Sequence, residues 1–294
     1  MSRFQAWKTA ARPHTLPAAI VPVVVGSALA YGERVFRLDA FLWALLGALS
    51  VQVAANFAND ASDARRGTDT EDRLGPPRMV AMGVISSRQI WVATWVAIAV
   101  AAVAGVFLTL IAGWIILLIG VSAIIAMLGY VGGPAPYGYR GLGEVFVFVF
   151  FGLVATVGSR YVHDQQAPLA AWMLAIPIGM LVTAILVANN YRDIETDGAT
   201  GKRTLAVILG RARTRTLFAV LVYGAFVTIA VFGTVGWTPV STLFSAFLLP
   251  LAAIPVRILY ARTDGPALIR ALTATARLHL WMGLALALAV AFAP

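Results

Sequence analysis

The sequence predicts an all-α polytopic membrane protein, and two observations carry this prediction. Hydrophobic residues make up 60% of the 294 residues and charged residues 12%, whereas a typical soluble domain is about 25% charged. The apolar residues also fall in runs long enough to cross a bilayer, which takes roughly 20 residues of helix. This length could accommodate two soluble domains, but the composition favours one helical bundle, residues 1–294, embedded in the membrane.

Nine such runs follow one another along the chain. The first follows a short basic segment and leads directly into further spans, so we expect a transmembrane helix rather than a cleaved signal. Two uncharged stretches, 89–139 and 216–256, are each long enough for two spans, with turns at 112–113 and 236–239. The predicted spans are 14–32, 40–59, 89–110, 112–131, 144–160, 169–190, 216–235, 239–257 and 277–293.

The basic residues are distributed unequally between the loops. Of the 22 Lys and Arg residues, 19 fall in the N-terminal segment and the loops after the even-numbered spans, and 3 fall on the other side. By the positive-inside rule, the N-terminus and the capping loops, at about 60–88 and 191–215, face the cytoplasm. The net charge of +9 does not form a continuous basic stripe, which argues against a nucleic-acid partner. The absence of cysteine excludes disulfide and thiol chemistry.

Two short acidic segments interrupt the apolar chain, and they are similar to each other. The first runs from Asn56 to Asp69 and the second from Asn189 to Arg203. Each begins at the end of a predicted span, and the two spans are four apart and end on the same side of the membrane. Carboxylates beside a bilayer are costly unless they are paired, metal-bound or facing water. A parallel internal repeat would place the two segments across one cavity.

The spacing of the oxygen ligands in both segments fits a divalent cation. Asn59 and Asp63 are four residues apart and share a helix face, and Asn189, Asp193 and Asp197 repeat that spacing. Mg²⁺ prefers oxygen ligands, keeps several waters and binds a few carboxylates together with substrate phosphates. Zinc would favour His or Cys. The pattern therefore predicts magnesium shared between the two segments.

Basic residues lie among these acids. Carboxylates alone would repel a phosphate, so the mixture favours a metal-bridged diphosphate whose departure the metal and the bases assist. The bases that could neutralise its outer oxygens are Arg65, Arg66, Arg192, Lys202 and Arg203. An isoprenoid tail suits an apolar cavity, and aromatic faces would attract the allylic cation left by ionisation. Candidates for this lining are Tyr130, Tyr137, Tyr139, Phe146, Phe148 and Tyr191.

Several motifs spread over essentially the whole chain are specific when taken together. They are Arg12-Pro13-His14-Thr15-Leu16-Pro17-Ala18-Ala19 with Pro22 and Gly26; Asn59-Asp60-x-x-Asp63-x-x-x-Gly67-x-Asp69; residues 72–78; Gly132-Gly133-Pro134 with residues 136–144; and residues 189–197 with 201–206. With these motifs the chain resembles the UbiA-type membrane prenyltransferases, and within them the branch that prenylates 1,4-dihydroxy-2-naphthoate in menaquinone biosynthesis.

The resemblance implies a nine-helix bundle around a central cavity that holds Mg²⁺ and a diphosphate. Gly67 stands where the broader superfamily often has its third acidic ligand, and the carboxylate comes at Asp69, as in the naphthoate branch. This departure favours that branch over the 4-hydroxybenzoate prenyltransferases. The implied metal ligands are Asn59, Asp63, Asp69, Asp193 and Asp197, with Asp60 and Asn190 close by.

The implied reaction joins a polyprenyl diphosphate to 1,4-dihydroxy-2-naphthoate, with loss of CO₂ and diphosphate, and gives demethylmenaquinol. Arg12 or Arg140 would hold the acceptor carboxylate, and Glu144 or Tyr139 would handle a phenolic proton. The expected catalytic residues are Asp63, Asp193, Tyr139 and Arg140. We expect the active site on the cytoplasmic side of a bacterial plasma membrane.

Other functions remain open from the sequence. A secondary transporter also has repeats and acids within the membrane, but it does not need two Asn/Asp clusters with adjacent bases. A CDP-alcohol phosphotransferase carries its acids in one continuous motif, and no such run occurs in this sequence. Within the prenyltransferases, another aromatic acceptor such as 4-hydroxybenzoate is the main alternative.

Overall fold

The computed structural model describes residues 2–67, 74–75, 78–132 and 136–293, and these ranges contain helices but no strand. Short 3₁₀ helices cover Pro13–Thr15, Tyr137–Arg140 and Val240–Leu248, and a π-helical turn covers Phe148–Val154. The α-helices are α1 Arg3–Ala11, α2 Pro17–Gly32, α3 Leu38–Arg66, α4 Ser87–Ala112, α5 Trp114–Val131, α6 Gly143–Val147, α7 Ala155–Asp164, α8 Leu169–Arg192, α9 Ile194–Ala199, α10 Leu205–Thr234, α11 Leu249–Ala261 and α12 Gly265–Ala291.

Within the described ranges, eight helical segments are long and apolar enough to cross a membrane. A ninth is present if α1, the following 3₁₀ turn and α2 count as one span, although the chain bends there by 50°. The predicted all-α membrane class is therefore confirmed. The sequence missed the bend because Pro13 and Pro17 lie so close to the start of the first apolar run.

Three helices extend well beyond the predicted spans. α3 continues to Arg66, α10 starts at Leu205 instead of 216 but is broken at Gly210, whose φ +72 and ψ +170 are non-helical, and α12 starts at Gly265 instead of 277. A hydropathy run ends at the first charged residues, whereas a helix continues through Arg and Ala, which favour helix. The segments expected as capping loops are consequently helical at their ends, and α9 lies within the second. Asp60 and Asp63 are thus held on regular helix, whereas Asp193 lies at the junction of α8 and α9 with φ −96 and ψ +11.

The helix ends follow local signals in the sequence. At the start of α4 the Ser86 hydroxyl accepts a hydrogen bond from the Gln89 backbone N–H, and the Gln89 side chain accepts one from the Ser86 N–H, a capping box. Gly67 ends α3 with φ +67, and Gly113 separates α4 from α5 with φ +84. These left-handed conformations favour glycine. The turn predicted at 112–113 is confirmed.

The bundle packs around α8, which is the most buried of the long helices. Its apolar side chains join those of α2, α10, α11 and α12 in the largest core cluster. On the other side α3 packs against α4 and α5. The helices α3 and α8, which carry the two acidic segments, therefore belong to different walls of the bundle.

The close approach of α2 to α7 depends on Gly26. A Cβ at this position would lie 2.3 Å from the Thr156 carbonyl oxygen and 2.9 Å from the Arg160 nitrogen. We expect Gly26→Ala to lower stability by about 1–3 kcal/mol, because backbone atoms must move apart, and the thermal midpoint in detergent measures this. Gly105→Ala is the matched control, since a Cβ added there would meet no atom within 4 Å. Equal midpoints for the two variants would contradict the close contact.

Candidate active site

A cavity of about 390 Å³ lies between the two walls and reaches the ends of α3 and α8. Most of its surface is apolar and comes largely from Ala, Gly, Val, Ile and Phe residues between α2 and α8. The charged and amide side chains gather at one end. These polar lining residues include Arg12, His14, Asn59, Asp63, Arg78, Asn189, Asn190, Arg192 and Lys202. The cavity thus brings members of both acidic segments together, as the repeat predicts.

Asp63 is the central carboxylate of the first segment. It is buried, and its Oδ2 lies 3.0 Å from Nη2 of Arg78, while the Tyr139 hydroxyl donates to Oδ1 at 2.6 Å. Asn59, one turn earlier on α3, lines the cavity beside it. Arg78 was not predicted as a site residue from the sequence, although its motif at 72–78 follows the acidic segment.

Asp60 faces another direction. Its two oxygens accept hydrogen bonds from the backbone N–H groups of Met79 and Val80, at 3.1 and 3.2 Å, and it is absent from the cavity lining. A buried carboxylate that receives two backbone donors is well satisfied without a metal. Asp60 therefore fixes the chain directly after Arg78 and so helps to hold Arg78 against Asp63.

The second segment centres on Arg192, which is 1% exposed. Its Nε and Nη2 donate to the two oxygens of Asp193 at 2.7 and 2.6 Å, and Nη2 also donates to Asn189 Oδ1 at 3.0 Å. Its Nη1 is buried and has no hydrogen-bond partner in the described part of the chain. A buried donor of this kind, on a side chain that lines the cavity, suits an anionic ligand.

Asp197 forms an ion pair with Lys202, whose Nζ is 3.3 Å from Asp197 Oδ1. Burial raises the pKa of Asp197 to about 6, and the nearby Asp193 and Asp63 add to the rise, against the lowering effect of Lys202. Its Oδ2 is buried without a hydrogen-bond partner among the residues that the structure describes. Lys202 thus pairs with one oxygen of Asp197, and the other oxygen has no donor among the described residues.

Lys202 connects the two segments. Burial lowers its pKa, but Asp63, Asp197 and Asp193 outweigh that effect and raise it overall. Its Nζ lies 5.2 Å from the centre of the Tyr139 ring, and the Arg66 guanidinium carbon lies at the same distance from that ring. Cations of both segments therefore lie near the Tyr139 ring, while its hydroxyl donates to Asp63.

Asn190 and Glu144 form a separate buried pair. The Asn190 amide nitrogen donates to Glu144 Oε1 at 2.9 Å, and the other carboxylate oxygen of Glu144 has no hydrogen-bond partner within the described ranges. Asn190 lines the cavity but Glu144 does not. The amide of Asn190 is thus engaged in joining α8 to α6.

Several predicted residues lie away from this cluster. Arg140 and Arg203 are absent from the cavity lining; Arg140 is exposed, and the Arg203 backbone N–H donates to the Tyr139 carbonyl. Arg65 is likewise exposed. Asp69 lies outside the described residues. Of the six aromatic candidates, the cavity is lined by Tyr130, Tyr137 and Phe146, and not by Tyr139, Phe148 and Tyr191.

The donor set at the polar end suits a hard divalent cation. In the described ranges no three His, Cys, Asp or Glu side chains come close enough to hold one ion, and Asp63 and Asp193 are paired with Arg78 and Arg192. The residues are nevertheless of the kind that magnesium binds: Asn59 and Asp63 offer amide and carboxylate oxygens to open cavity space, and Asp197, which like Asp193 does not line the cavity, has one oxygen without a hydrogen-bond partner in this part of the chain. The residues therefore fit Mg²⁺.

The fold and this site define a class of membrane prenyltransferase. The UbiA prenyltransferase family matches residues 19–283, and the chain belongs to that family. It is 40% identical over 297 residues to a 1,4-dihydroxy-2-naphthoate octaprenyltransferase of Mycobacterium tuberculosis, covering 99% of each chain. It is 39% identical over 240 residues to the Escherichia coli enzyme of the same name, covering 79% of this chain and 77% of the other.

Solved structures share the fold at low sequence identity. A UbiA homolog from Archaeoglobus fulgidus bound to GPP and Mg²⁺ is 16% identical, with a TM-score of 0.67 over 96% of this chain and 99% of that one. The apo structure of a UbiA homolog from Aeropyrum pernix K1 is 14% identical, with a TM-score of 0.69 over 97% and 98% of the two chains. The helical arrangement described above is therefore that of this family.

Proposed function

We propose that the protein transfers a polyprenyl group from a polyprenyl diphosphate to 1,4-dihydroxy-2-naphthoate, with loss of CO₂ and diphosphate, to give demethylmenaquinol. One observation supports this most: a single cavity joins a cluster of acids and bases to a long apolar wall. A prenyl diphosphate has the same two parts. The names of the relatives from M. tuberculosis and E. coli support the choice of acceptor.

The diphosphate would bind at the polar end. Arg192, with its buried Nη1, and Lys202 both line the cavity and supply positive charge there, with Arg66 above Tyr139. Mg²⁺ would be held by oxygens of Asn59, Asp63, Asp193 and Asp197, together with Asp69, and would stabilise the negative charge of the departing diphosphate. Asp60 and Asn190 are better assigned to positioning, since the backbone and Glu144 already occupy them.

The aromatic wall would receive the cationic end of the chain. Tyr137 and Phe146 stack with their ring centres 3.9 Å apart, and Tyr130 meets Tyr137 edge-on at 5.5 Å. All three line the cavity. Ring faces stabilise a positive charge by their quadrupole, and the absence of bulk water in an apolar cavity would protect an allylic cation from hydrolysis.

The reaction balances without loss of a ring proton. A bond forms between the ring carbon that bears the carboxylate and the allylic carbon, and the allylic carbon–oxygen bond breaks, its electron pair leaving with diphosphate. The carboxylate then leaves as CO₂, and the electron pair of the broken carbon–carbon bond restores the aromatic ring. A permanent general base is thus not required. This agrees with Glu144 and Tyr139 being held by Asn190 and Asp63.

The acceptor carboxylate needs a cation on the cavity wall. Arg12 lines the cavity, whereas Arg140 is exposed and does not. We therefore assign the carboxylate to Arg12. The N-terminus and the polar end of the cavity would face the cytoplasm, as the distribution of basic residues indicates, and residues 1–294 would form one prenyltransferase domain.

Purified protein tests this proposal directly. With Mg²⁺, farnesyl diphosphate and a panel of aromatic acids, we expect mass spectrometry to show a prenylated product only from 1,4-dihydroxy-2-naphthoate, lacking the mass of CO₂. Chelation should abolish turnover and added Mg²⁺ should restore it. Preferred turnover of 4-hydroxybenzoate, or a product that keeps its carboxylate, would refute the assignment. Substrate flux into proteoliposomes without prenyl transfer would indicate a transporter instead.

A further inference from the structure

Three polar side chains form a hydrogen-bonded cluster on the cavity wall beside Arg12. The Thr15 hydroxyl donates to the Arg12 carbonyl oxygen at 3.0 Å and accepts from the amide nitrogens of Gln52 and Asn56, each at 3.0 Å. The Asn56 nitrogen also donates to the Ala11 carbonyl oxygen at 2.9 Å. Thr15, Gln52 and Asn56 all line the cavity. None of them has a role in the reaction described above.

The break between α1 and α2 makes this cluster possible. Arg12 adopts a left-handed conformation, with φ +51 and ψ +70, and the chain bends before α2 begins. The Ala11 carbonyl accepts a hydrogen bond from the Asn56 side chain, and the Arg12 carbonyl accepts one from the Thr15 hydroxyl in addition to the Thr15 backbone N–H of the 3₁₀ turn. The same bend brings the Arg12 side chain onto the cavity wall.

The hydroxyl of Thr15 fixes the orientation of both amides. Its single proton is directed at Arg12, so it offers only lone pairs to its other neighbours, and both amides must present nitrogen to it. The two amide oxygens therefore turn elsewhere. Neither oxygen accepts a hydrogen bond from the described residues, and neither is sealed off from the cavity.

The amide oxygens of Gln52 and Asn56 would lack hydrogen bonds in a cavity that held only hydrocarbon, and this is unfavourable. Covering a polar group with an apolar chain without a new hydrogen bond costs free energy. A ligand with two hydrogen-bond donors would satisfy both oxygens. A dihydroxy aromatic acid offers two hydroxyl donors together with a carboxylate, whereas 4-hydroxybenzoate offers one hydroxyl.

We propose that Thr15 holds the amides of Gln52 and Asn56 so that their oxygens bind the two hydroxyl groups of the acceptor, next to the Arg12 that binds its carboxylate. This inference rests on the proposed function. It makes Gln52 and Asn56 the residues that distinguish a dihydroxy acceptor from a monohydroxy one, and it makes Thr15 a positioning residue. A site built to hydrogen-bond a hydroxyl group discriminates strongly against analogues that lack it.

The test compares two acceptor ligands across four variants of the cluster and one control variant. For Gln52→Met and Asn56→Leu, which keep side-chain size and remove the whole amide, we expect the KM for 1,4-dihydroxy-2-naphthoate to rise about five- to tenfold. The KM for farnesyl diphosphate should stay within about twofold. The inhibition constant of 1-hydroxy-2-naphthoate, which lacks the 4-hydroxyl group, should respond to only one of the two substitutions. That difference assigns each hydroxyl to its amide.

Thr15 and a control residue complete the design. Thr15→Val should raise the acceptor KM as much as either amide variant, and Thr15→Ser, which keeps the hydroxyl, should restore it. Ser62→Ala removes a buried hydrogen bond to Val131 on the same helix α3, outside the cavity, and should leave the acceptor KM unchanged. Thermal midpoints identify any variant that misfolds, and the amide and threonine variants test the inference independently.

The outcomes separate the two levels of the proposal. If the wild-type protein prenylates the dihydroxynaphthoate but the variants leave its KM unchanged, or raise both substrates' KM equally, the acceptor contact is wrong and the proposed function stands. An equal response of both ligands to both amide variants also refutes the contact. If the wild-type protein does not prenylate the dihydroxynaphthoate, both proposals fall.

Discussion

Asp63→Asn is expected to lower kcat/KM for prenyl transfer by about 10²–10³-fold, the usual effect of removing one electrostatic group that acts on the leaving charge. Asn keeps the volume of the side chain and can still accept the hydrogen bond from Tyr139. It removes the negative charge that faces Arg78 at 3.0 Å and that raises the pKa of Lys202. The loss of activity should therefore come from the missing charge and weaker metal binding. The variant should need a higher Mg²⁺ concentration for half-maximal activity.

The matched control is Asp39→Asn, at the opposite end of the same helix α3. Asp39 is exposed and pairs with Arg37, which is largely exposed as well. Surface pairs of this kind contribute little, so its activity should stay within about twofold of the wild type. Activity of Asp63→Asn within about fivefold of the wild type, with an unchanged thermal midpoint, would remove Asp63 from the reaction.

The sequence predicted the convergence of the two acidic segments because both follow spans of the same orientation. Asp63 and Lys202 are far apart in the chain, yet the positive-inside pattern places them on one side, and the pseudo-repeat places them across one cavity. The structure supports the convergence through the shared electrostatics of Lys202, Asp63 and Asp197. Charge pattern and helix period were sufficient here because a bilayer restricts where a polar segment can lie.

The partner of Asp63 could not be predicted in the same way. Arg78 reaches it from a segment that Asp60 anchors through the backbone of Met79 and Val80, a tertiary contact that spacing does not reveal. Arg140 shows the converse case. It follows Tyr139 directly, but the 3₁₀ helix Tyr137–Arg140 directs successive side chains about 120° apart, and Arg140 becomes exposed.

The polar cluster of Thr15, Gln52 and Asn56 was not predicted, although a signal was present. Gln52 lies inside the predicted span 40–59, and a polar side chain within a membrane span is a candidate functional residue by default. Asn56 is the first residue of the first acidic segment. It lies on the same helix face as Gln52, four residues later, and this spacing indicated a second polar surface that the acidic pattern concealed.

Asp193→Asn is expected to lower kcat/KM by about 10²-fold, and the double variant with Asp63→Asn to be little worse than Asp63→Asn alone. Residues that act as one unit have non-additive effects, and both carboxylates would serve one diphosphate. Once either carboxylate is lost, the other contributes little further stabilisation to the departing diphosphate. Thermal midpoints are needed for Asp193→Asn, because it removes the anion that pairs with the buried Arg192.

A remote acid provides the comparison for this cycle. Asp264 caps α12, is exposed and pairs with Arg262, so Asp264→Asn combined with Asp63→Asn should give simply the product of the two single effects. If Asp63→Asn and Asp193→Asn also multiplied, each segment would act on a different ligand. The shared site would then be wrong even if both residues proved necessary, because independent effects exclude a single diphosphate bound by both helix ends.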